Sequence, residues 1–147
     1  PFLTIILVSD SAKQKSKWFE PLQAYCHPVF SGRGLITVDS DLERKTLKKL
    51  IDLQSWIQNK GFEPITIEKP LFDTMVNGEP VRPDFILRTA KSRVVIIETM
   101  GFNTDAYEAS KARIHPLMAM LGEVIEFRDG DDAGTEFGSR VLEALRK

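Results

Sequence analysis

The fold is decided by two neighbouring stretches, Arg82-Pro83-Asp84-Phe85-Ile86-Leu87 and, after a short turn, Val94-Val95-Ile96-Ile97-Glu98. Both are rich in the β-branched and apolar residues that favour buried strands, and each carries one acid at a strand end or bend. A carboxylate beside an apolar run is costly to bury unless it is paired or binds a cation. Asp84 and Glu98 on neighbouring strands therefore predict a site for one hard divalent metal with oxygen ligands.

The composition is that of an ordinary globular domain. The chain has 147 residues, 42% of them hydrophobic and 28% charged, which suggests one domain with a substantial core. Its formal net charge of −1 gives no global nucleic-acid signature, so DNA contact would depend on local basic patches. The single cysteine, Cys26, excludes an intramolecular disulfide framework and fits a reducing compartment, so we expect a cytoplasmic protein. No apolar run is long enough to span a membrane, and no membrane partner is expected.

Residues 1–40 are predicted to form an N-terminal extension to an α/β core over residues 41–147. The run Leu3 to Val8 is typical of a strand. Ser11 is predicted to open a helix whose apolar face carries Trp18, Phe19 and Leu22. The extension and the core are expected to form one compact domain. Because the chain lacks an initiator Met, it is interpreted either as a segment cut from a longer protein or as a chain whose first residue was removed.

From residue 41 the pattern predicts helix, three strands, helix, strand and a closing helix. Ser40 or Asp41 caps the first helix, which ends near Asn59 before Gly61. Asn77-Gly78 predicts a tight turn. The predicted strands cover Phe62 to Ile67 with an extension to Leu71-Phe72, Pro83 to Arg88, Arg93 to Glu98 and Glu123 to Phe127; the later helices cover Asn103 or Thr104 to Leu121, and Thr135 to Lys147. This order predicts an α/β domain with a mixed sheet and helices on both faces.

The order of elements and the placement of the acids resemble the PD-(D/E)xK restriction-endonuclease-like superfamily. Pro83-Asp84 is similar to the family's PD dipeptide, Glu98 to the acid of its second half-motif, and Glu43 to the upstream acid that many members carry. Ile97-Glu98-x-x-Gly101 after the PD strand is similar to nuclease-like domains of phage, plasmid and conjugative-element proteins. The resemblance implies a core of order αβββαβ and a metal-dependent nuclease.

One position departs from the family pattern. The family's lysine belongs two residues after the second acid, where this chain has Met100. Some members carry the lysine on the following helix instead, and Lys111 is the candidate here. Tyr107 lies one helical turn earlier, so the two side chains are expected to share a face.

The resemblance also implies a role for each site residue. Asp84, Glu98 and the backbone carbonyl of Thr99 are expected to bind Mg²⁺ or Mn²⁺. Glu43 is expected to bind or orient a water on the metal, and Lys111 to replace the motif lysine. The nucleophile would be an activated water, and the product a cleaved DNA strand.

Each of these residues also has a purely structural interpretation, which the sequence leaves open. Asp84 is typical of a turn or strand entry, and Glu98 of an exposed strand end. Glu43 is favourable in a first helical turn without any other role. Lys111 fits a solvated helix face.

Two groups of basic residues predict a surface that contacts phosphates, although solubilising charge explains them equally well. The groups are Arg82, Arg88, Lys91 and Arg93 on the hairpin that joins the two central strands, and Arg44, Lys45, Lys48 and Lys49 on the first core helix. Two alternatives to a nuclease follow. Met100 favours a catalytically degenerate nucleic-acid-binding module, and the strand Leu3 to Val8 favours a protein-interaction domain of a mobile-element protein, joined by strand addition.

Overall fold

A computed structural model describes residues 2–8, 21–30, 36–102, 104–128, 130 and 136–147. The chain comprises two compact units, Pro1–Asp39 and Ser40–Lys147. Among the helices of the described residues, none is both long enough and apolar enough to span a membrane. Whether the whole chain forms one compact domain stays a prediction.

The first unit contains an antiparallel strand pair. β1 (Phe2–Val8) pairs with β2 (Pro21–Pro28), and Val29 forms an isolated bridge with Thr37. The predicted strand from Leu3 to Val8 is confirmed. The helix predicted from Ser11 falls largely on residues 11–20, which lie outside the described residues. The placement of Leu22 on that helix is wrong, since Leu22 is an exposed residue of β2; pairing with β1 outweighs the local helical spacing.

The second unit opens with the predicted helix, α1 (Asp41–Asn59). Ser40 is its N-cap, and the Ser40 hydroxyl accepts a hydrogen bond of 3.0 Å from the backbone N–H of Glu43. Gly61 follows the helix with a φ of +69°, a left-handed conformation that glycine adopts at little cost. Leu47, Leu50 and Ile57 form the buried face of the helix.

After α1 the chain forms β3 (Ile65–Glu68) and a short hairpin of β4 (Thr74–Val76) and β5 (Glu79–Val81). The hairpin turns at Asn77-Gly78, whose φ angles of 52° and 84° match a tight turn with two left-handed residues. The tight-turn prediction is confirmed, but these two strands were not predicted. The extension of β3 to Leu71-Phe72 is wrong. β3 ends at Glu68, and both residues are exposed, because Pro70 cannot donate to a strand ladder.

The main sheet has four strands in the order β3-β6-β7-β8, with β6 at Phe85–Thr89, β7 at Val94–Met100 and β8 at Glu123–Arg128. β6 is antiparallel to β3 and β7, whereas β7 and β8 are parallel. The parallel connection runs through α2 (Asp105–Met118), capped by Thr104. Pro116 lies inside α2 and does not end it. The predicted mixed sheet is confirmed.

Helices cover both faces of this sheet. On one face α1 and the closing helix α3 (Glu136–Arg146) pack against the sheet, and the rings of Phe127 and Phe137 meet edge-on at 4.8 Å. On the other face α2 and the hairpin enclose a second buried cluster of Val76, Val81, Ile86, Ile96 and Met118. Because β6 and β7 are antiparallel, the start of β6 lies beside the end of β7.

Candidate active site

Asp84 and Glu98 lie side by side at that end of the sheet. The register pairs Phe85 with Ile97, which places the preceding Asp84 opposite Glu98. The backbone N–H of Asp84 donates to Glu98 Oε1 at 3.0 Å. In return, Asp84 Oδ2 accepts from the backbone N–H of Thr99 at 2.7 Å and from its hydroxyl at 2.6 Å. Each acid is therefore fixed by the neighbouring strand.

The α2 helix places Lys111 against the second acid. Lys111 Nζ donates to Glu98 Oε2 at 2.5 Å and lies 5.6 Å from the ring centre of Tyr107. The Tyr107 hydroxyl donates to the backbone carbonyl of Thr99 at 3.0 Å. Met100, at the family's lysine position, is only 3% exposed. The structure thus brings together Asp84, Glu98, Thr99 and Lys111, which are four of the predicted site residues. Their chemical roles stay predictions.

Lys69, which was not predicted as a site residue, links Glu43 to this site. Lys69 Nζ donates to Glu43 Oε2 at 2.7 Å and lies 4.0 Å from Asp84 Oδ1. The Lys69 and Glu43 side chains are both 8% exposed. The only signal in the sequence is the position of Lys69 directly after a strand. A lysine there is by default solvated, so its burial follows from the packing of α1 against β3 and β7 of the sheet.

Among the residues that the structure describes, the site brings together three carboxylates and two lysines, so the acidic groups outnumber the basic ones. Glu98 is fully buried, and this burial, together with the neighbouring charge of Asp84, raises the pKa of Glu98 against the opposing effect of Lys111. Burial lowers the pKa of Lys111, but the hydrogen bond and charge of Glu98 and the charge of Asp84 outweigh it, so the pKa is raised overall. Lys111 is therefore a firm cation at neutral pH, and a further cation would be attracted.

The donor atoms fit a hard divalent metal. Asp84, Glu98 and Thr99 present carboxylate and carbonyl oxygens here. Most of these oxygens already accept hydrogen bonds, whereas Asp84 Oδ1 lies 4.0 Å from Lys69 Nζ, beyond hydrogen-bond distance. In the described part of the chain, no three His, Cys, Asp or Glu side chains converge on one point. An ion here would therefore take at most two carboxylates and complete its shell with main-chain oxygen and water. Mg²⁺ is commonly bound in this way.

The four basic residues predicted to cluster on the β6–β7 hairpin each have an acidic partner, although Arg82 lies before β6, at the opposite end of that strand from the turn. The pairs are Arg82 with Asp73 at 3.7 Å, Arg88 with Glu68 at 3.0 Å, Lys91 with Glu63 at 3.8 Å, and Arg93 with Glu123 at 2.7 Å. On α1, Lys45 lies 3.8 Å from Asp41. Contact with phosphates would require exchange of these partners, and the phosphate-contacting surface stays a prediction.

Comparison with known proteins agrees with this geometry. A family model described as "Restriction endonuclease-like C-terminal domain" matches residues 39–144. The chain is also similar to an Escherichia coli protein named "Uncharacterized protein in cib 5'region", with 40% identity over 111 residues, 69% of this chain and 51% of the relative. The chain thus spans about half the length of the curated relative it matches. The match to the family model supports the predicted resemblance and mixed α/β fold, and the chain belongs to the restriction endonuclease-like C-terminal domain family.

Proposed function

We propose that this domain is a metal-dependent nuclease that hydrolyses phosphodiester bonds of DNA, with Lys111 in place of the missing motif lysine. The observation that carries the proposal is the contact of Lys111 Nζ with Glu98 Oε2 at 2.5 Å, beside an acid pair joined through the backbone of Asp84. Lys111, on the helix after the strand, thereby contacts Glu98. Glu98 is the acid that precedes the motif lysine in the family pattern. The expected setting remains a cytoplasmic mobile-element protein.

The contacts of the side chains, together with the family resemblance, suggest a role for each. Asp84, Glu98 and the Thr99 carbonyl would hold Mg²⁺ or Mn²⁺, which when bound would lower the pKa of water and offset phosphate charge. Lys111 stabilises negative charge that develops on the phosphate. Tyr107 fixes the Thr99 carbonyl through its hydroxyl. By the family resemblance, Glu43 would orient the attacking water, and its Oε2 accepts a hydrogen bond of 2.7 Å from Lys69 Nζ.

A second candidate function is DNA binding without hydrolysis. Two observations favour it. Met100 is buried at the family's lysine position, and both oxygens of Glu98 already accept hydrogen bonds, from Asp84 N and Lys111 Nζ. Such a domain would bind DNA in a salt-sensitive manner through its basic residues.

The test is cleavage of labelled single-stranded and duplex DNA with Mg²⁺ or Mn²⁺, comparing the wild type with Asp84→Asn. The asparagine side chain retains an acceptor for the Thr99 N–H but loses the charge. Asp73→Asn is a matched control, because Asp73 is 55% exposed and pairs with Arg82. We expect cleavage by the wild type and the control, and its loss in Asp84→Asn with an unchanged circular dichroism spectrum. Equal cleavage by Asp84→Asn would refute the proposal, and gel shifts without cleavage would favour the DNA-binding function.

A further inference from the structure

Lys69 is the cation of this site for which neither the family resemblance nor the sequence assigns a role. Its ammonium group lies between two acids that come from different elements, at 2.7 Å from Glu43 Oε2 on α1 and 4.0 Å from Asp84 Oδ1 before β6. It also lies 5.2 Å from the ring centre of Phe85. With 8% of its side chain exposed, Lys69 is a buried counter-ion rather than a solvated surface charge.

The position of Lys69 has a direct consequence for Asp84. Oδ2 of Asp84 is occupied by the backbone and hydroxyl of Thr99, so Oδ1 is the oxygen left to bind an incoming cation. That oxygen is the one that faces Lys69. An ion bound to Oδ1 would meet a like charge in a region that is poorly screened by solvent.

We propose that Lys69 is a positioning residue that serves as the built-in counter-ion of Asp84 and Glu43 and competes with the divalent metal for Asp84. The inference rests on the metal site of the proposed function. In the absence of metal, Lys69 neutralises these acids and holds α1 to the start of β6. When a metal is present, the charge of Lys69 weakens the binding of that metal.

The experiment measures Mn²⁺ binding to the full chain by isothermal titration calorimetry after removal of metal with EDTA. Lys69→Gln removes the charge but keeps an N–H donor for Glu43, and Lys69→Arg keeps the charge. Asp84→Asn removes the charge of the proposed metal ligand. Lys60→Gln is the matched control, because Lys60 is an exposed lysine at the end of α1. Melting temperatures in EDTA accompany each titration.

The counter-ion role predicts that Lys69→Gln binds Mn²⁺ roughly tenfold more tightly than the wild type, the effect of removing one like charge close to the site. Lys69→Arg and Lys60→Gln should bind as the wild type does. In EDTA, Lys69→Gln should melt at a lower temperature than the wild type, and Mn²⁺ should raise its melting temperature by more. A purely structural role of Lys69 would lower stability without tightening metal binding.

The outcomes separate this inference from the proposed function. Binding by Lys69→Gln alone, with none by the wild type, would support strong competition. Wild-type binding that is lost in Asp84→Asn but unchanged or weaker in Lys69→Gln would overturn the counter-ion role and leave the metal site intact. Absence of binding in both the wild type and Lys69→Gln would overturn both. If Lys69→Gln does not fold, Lys69→Met is titrated under the same criteria.

Discussion

The ion pair of Lys111 and Glu98 joins two side chains with different exposure. The Glu98 side chain is fully buried, and that of Lys111 is 19% exposed. Removing the lysine therefore leaves a buried carboxylate without its cation. The free-energy cost of the unpaired carboxylate exceeds the net stabilisation that the intact ion pair provides.

We predict that Lys111→Met lowers the free energy of unfolding by about 2–3 kcal/mol. Glu98→Gln placed in the Lys111→Met background should recover part of this loss, because the buried charge is then absent. Urea denaturation of the two single variants and the double variant, in EDTA, gives the coupling energy. Strictly additive effects would show that the two groups do not depend on each other for stability.

The raised pKa of Glu98 predicts a specific pH dependence. Burial and then the charge of Asp84 raise its pKa above the ordinary value of 4.5, so the folded protein takes up this proton at a higher pH than the unfolded chain. The stabilisation is complete below the unfolded pKa and is lost as pH rises through the folded pKa. The wild type should therefore gain stability relative to Glu98→Gln as the pH falls from 7 towards 4.5. Urea melts in EDTA across this range test it, and a gap that narrows with falling pH would be inconsistent with it.

For single residues, the sequence predicted those site residues that stand in a recognisable local pattern. Asp84 and Glu98 stand beside apolar strands, and the antiparallel register then places them together. Lys69 stands in no such pattern. A lysine directly after a strand is usually solvated, so its position did not indicate a site residue. Its burial depends on how α1 packs beside the sheet, which local pattern does not specify.

At the scale of elements, the turn between α2 and β8 is tightly packed at Gly122. A Cβ at this position would lie 2.6 Å from the backbone oxygen of Val94 and 2.9 Å from its carbonyl carbon. These are backbone atoms of the first residue of β7, which pairs with Arg88 of β6, so they cannot move without disturbing the sheet. The glycine is therefore required by the close approach of two backbones.

We predict that Gly122→Ala lowers the free energy of unfolding by about 2 kcal/mol or more. Gly138→Ala is the matched control, because Gly138 lies within α3 and has nothing within 4 Å of an added Cβ. That control should raise stability by about 0.5–1 kcal/mol, since alanine is the better helix former. Urea unfolding of both variants gives the comparison. Equal effects in the two variants would contradict the packing at Gly122.

Elements with a strong local signal were predicted, and those that depend on a distant partner were not. α1, β6, β7, α2, β8 and α3 carry clear periodicity or caps, and each lies close to its predicted bounds. β2 has proline at both ends and gains its strand conformation by pairing with β1. The short strands around Asn77-Gly78 follow from the hairpin turn, with Val76 and Val81 buried in the α2-side cluster.

At the scale of the whole molecule, the formal net charge of −1 leaves DNA recognition to local groups. The basic residues Arg82, Arg88, Lys91 and Arg93 all have acidic partners within 4.0 Å, so their charge is partly offset at the surface. The ion pair of Lys111 and Glu98 lies at the end of the sheet where the acids converge. We propose that Lys111, at this end of the sheet, takes the place of the family's motif lysine.

The most direct test is the rate of Mg²⁺- or Mn²⁺-dependent cleavage of labelled DNA by Lys111→Met, with Lys60→Met as the control for loss of a lysine. Removal of one group that stabilises transition-state charge typically lowers the rate about 10²–10³-fold. We predict a loss of that size in Lys111→Met, with DNA binding retained and Lys60→Met unaffected. Cleavage by Lys111→Met at the wild-type rate would contradict the proposal that Lys111 replaces the motif lysine. The ion pair of Lys111 with Glu98 would then be a purely structural contact.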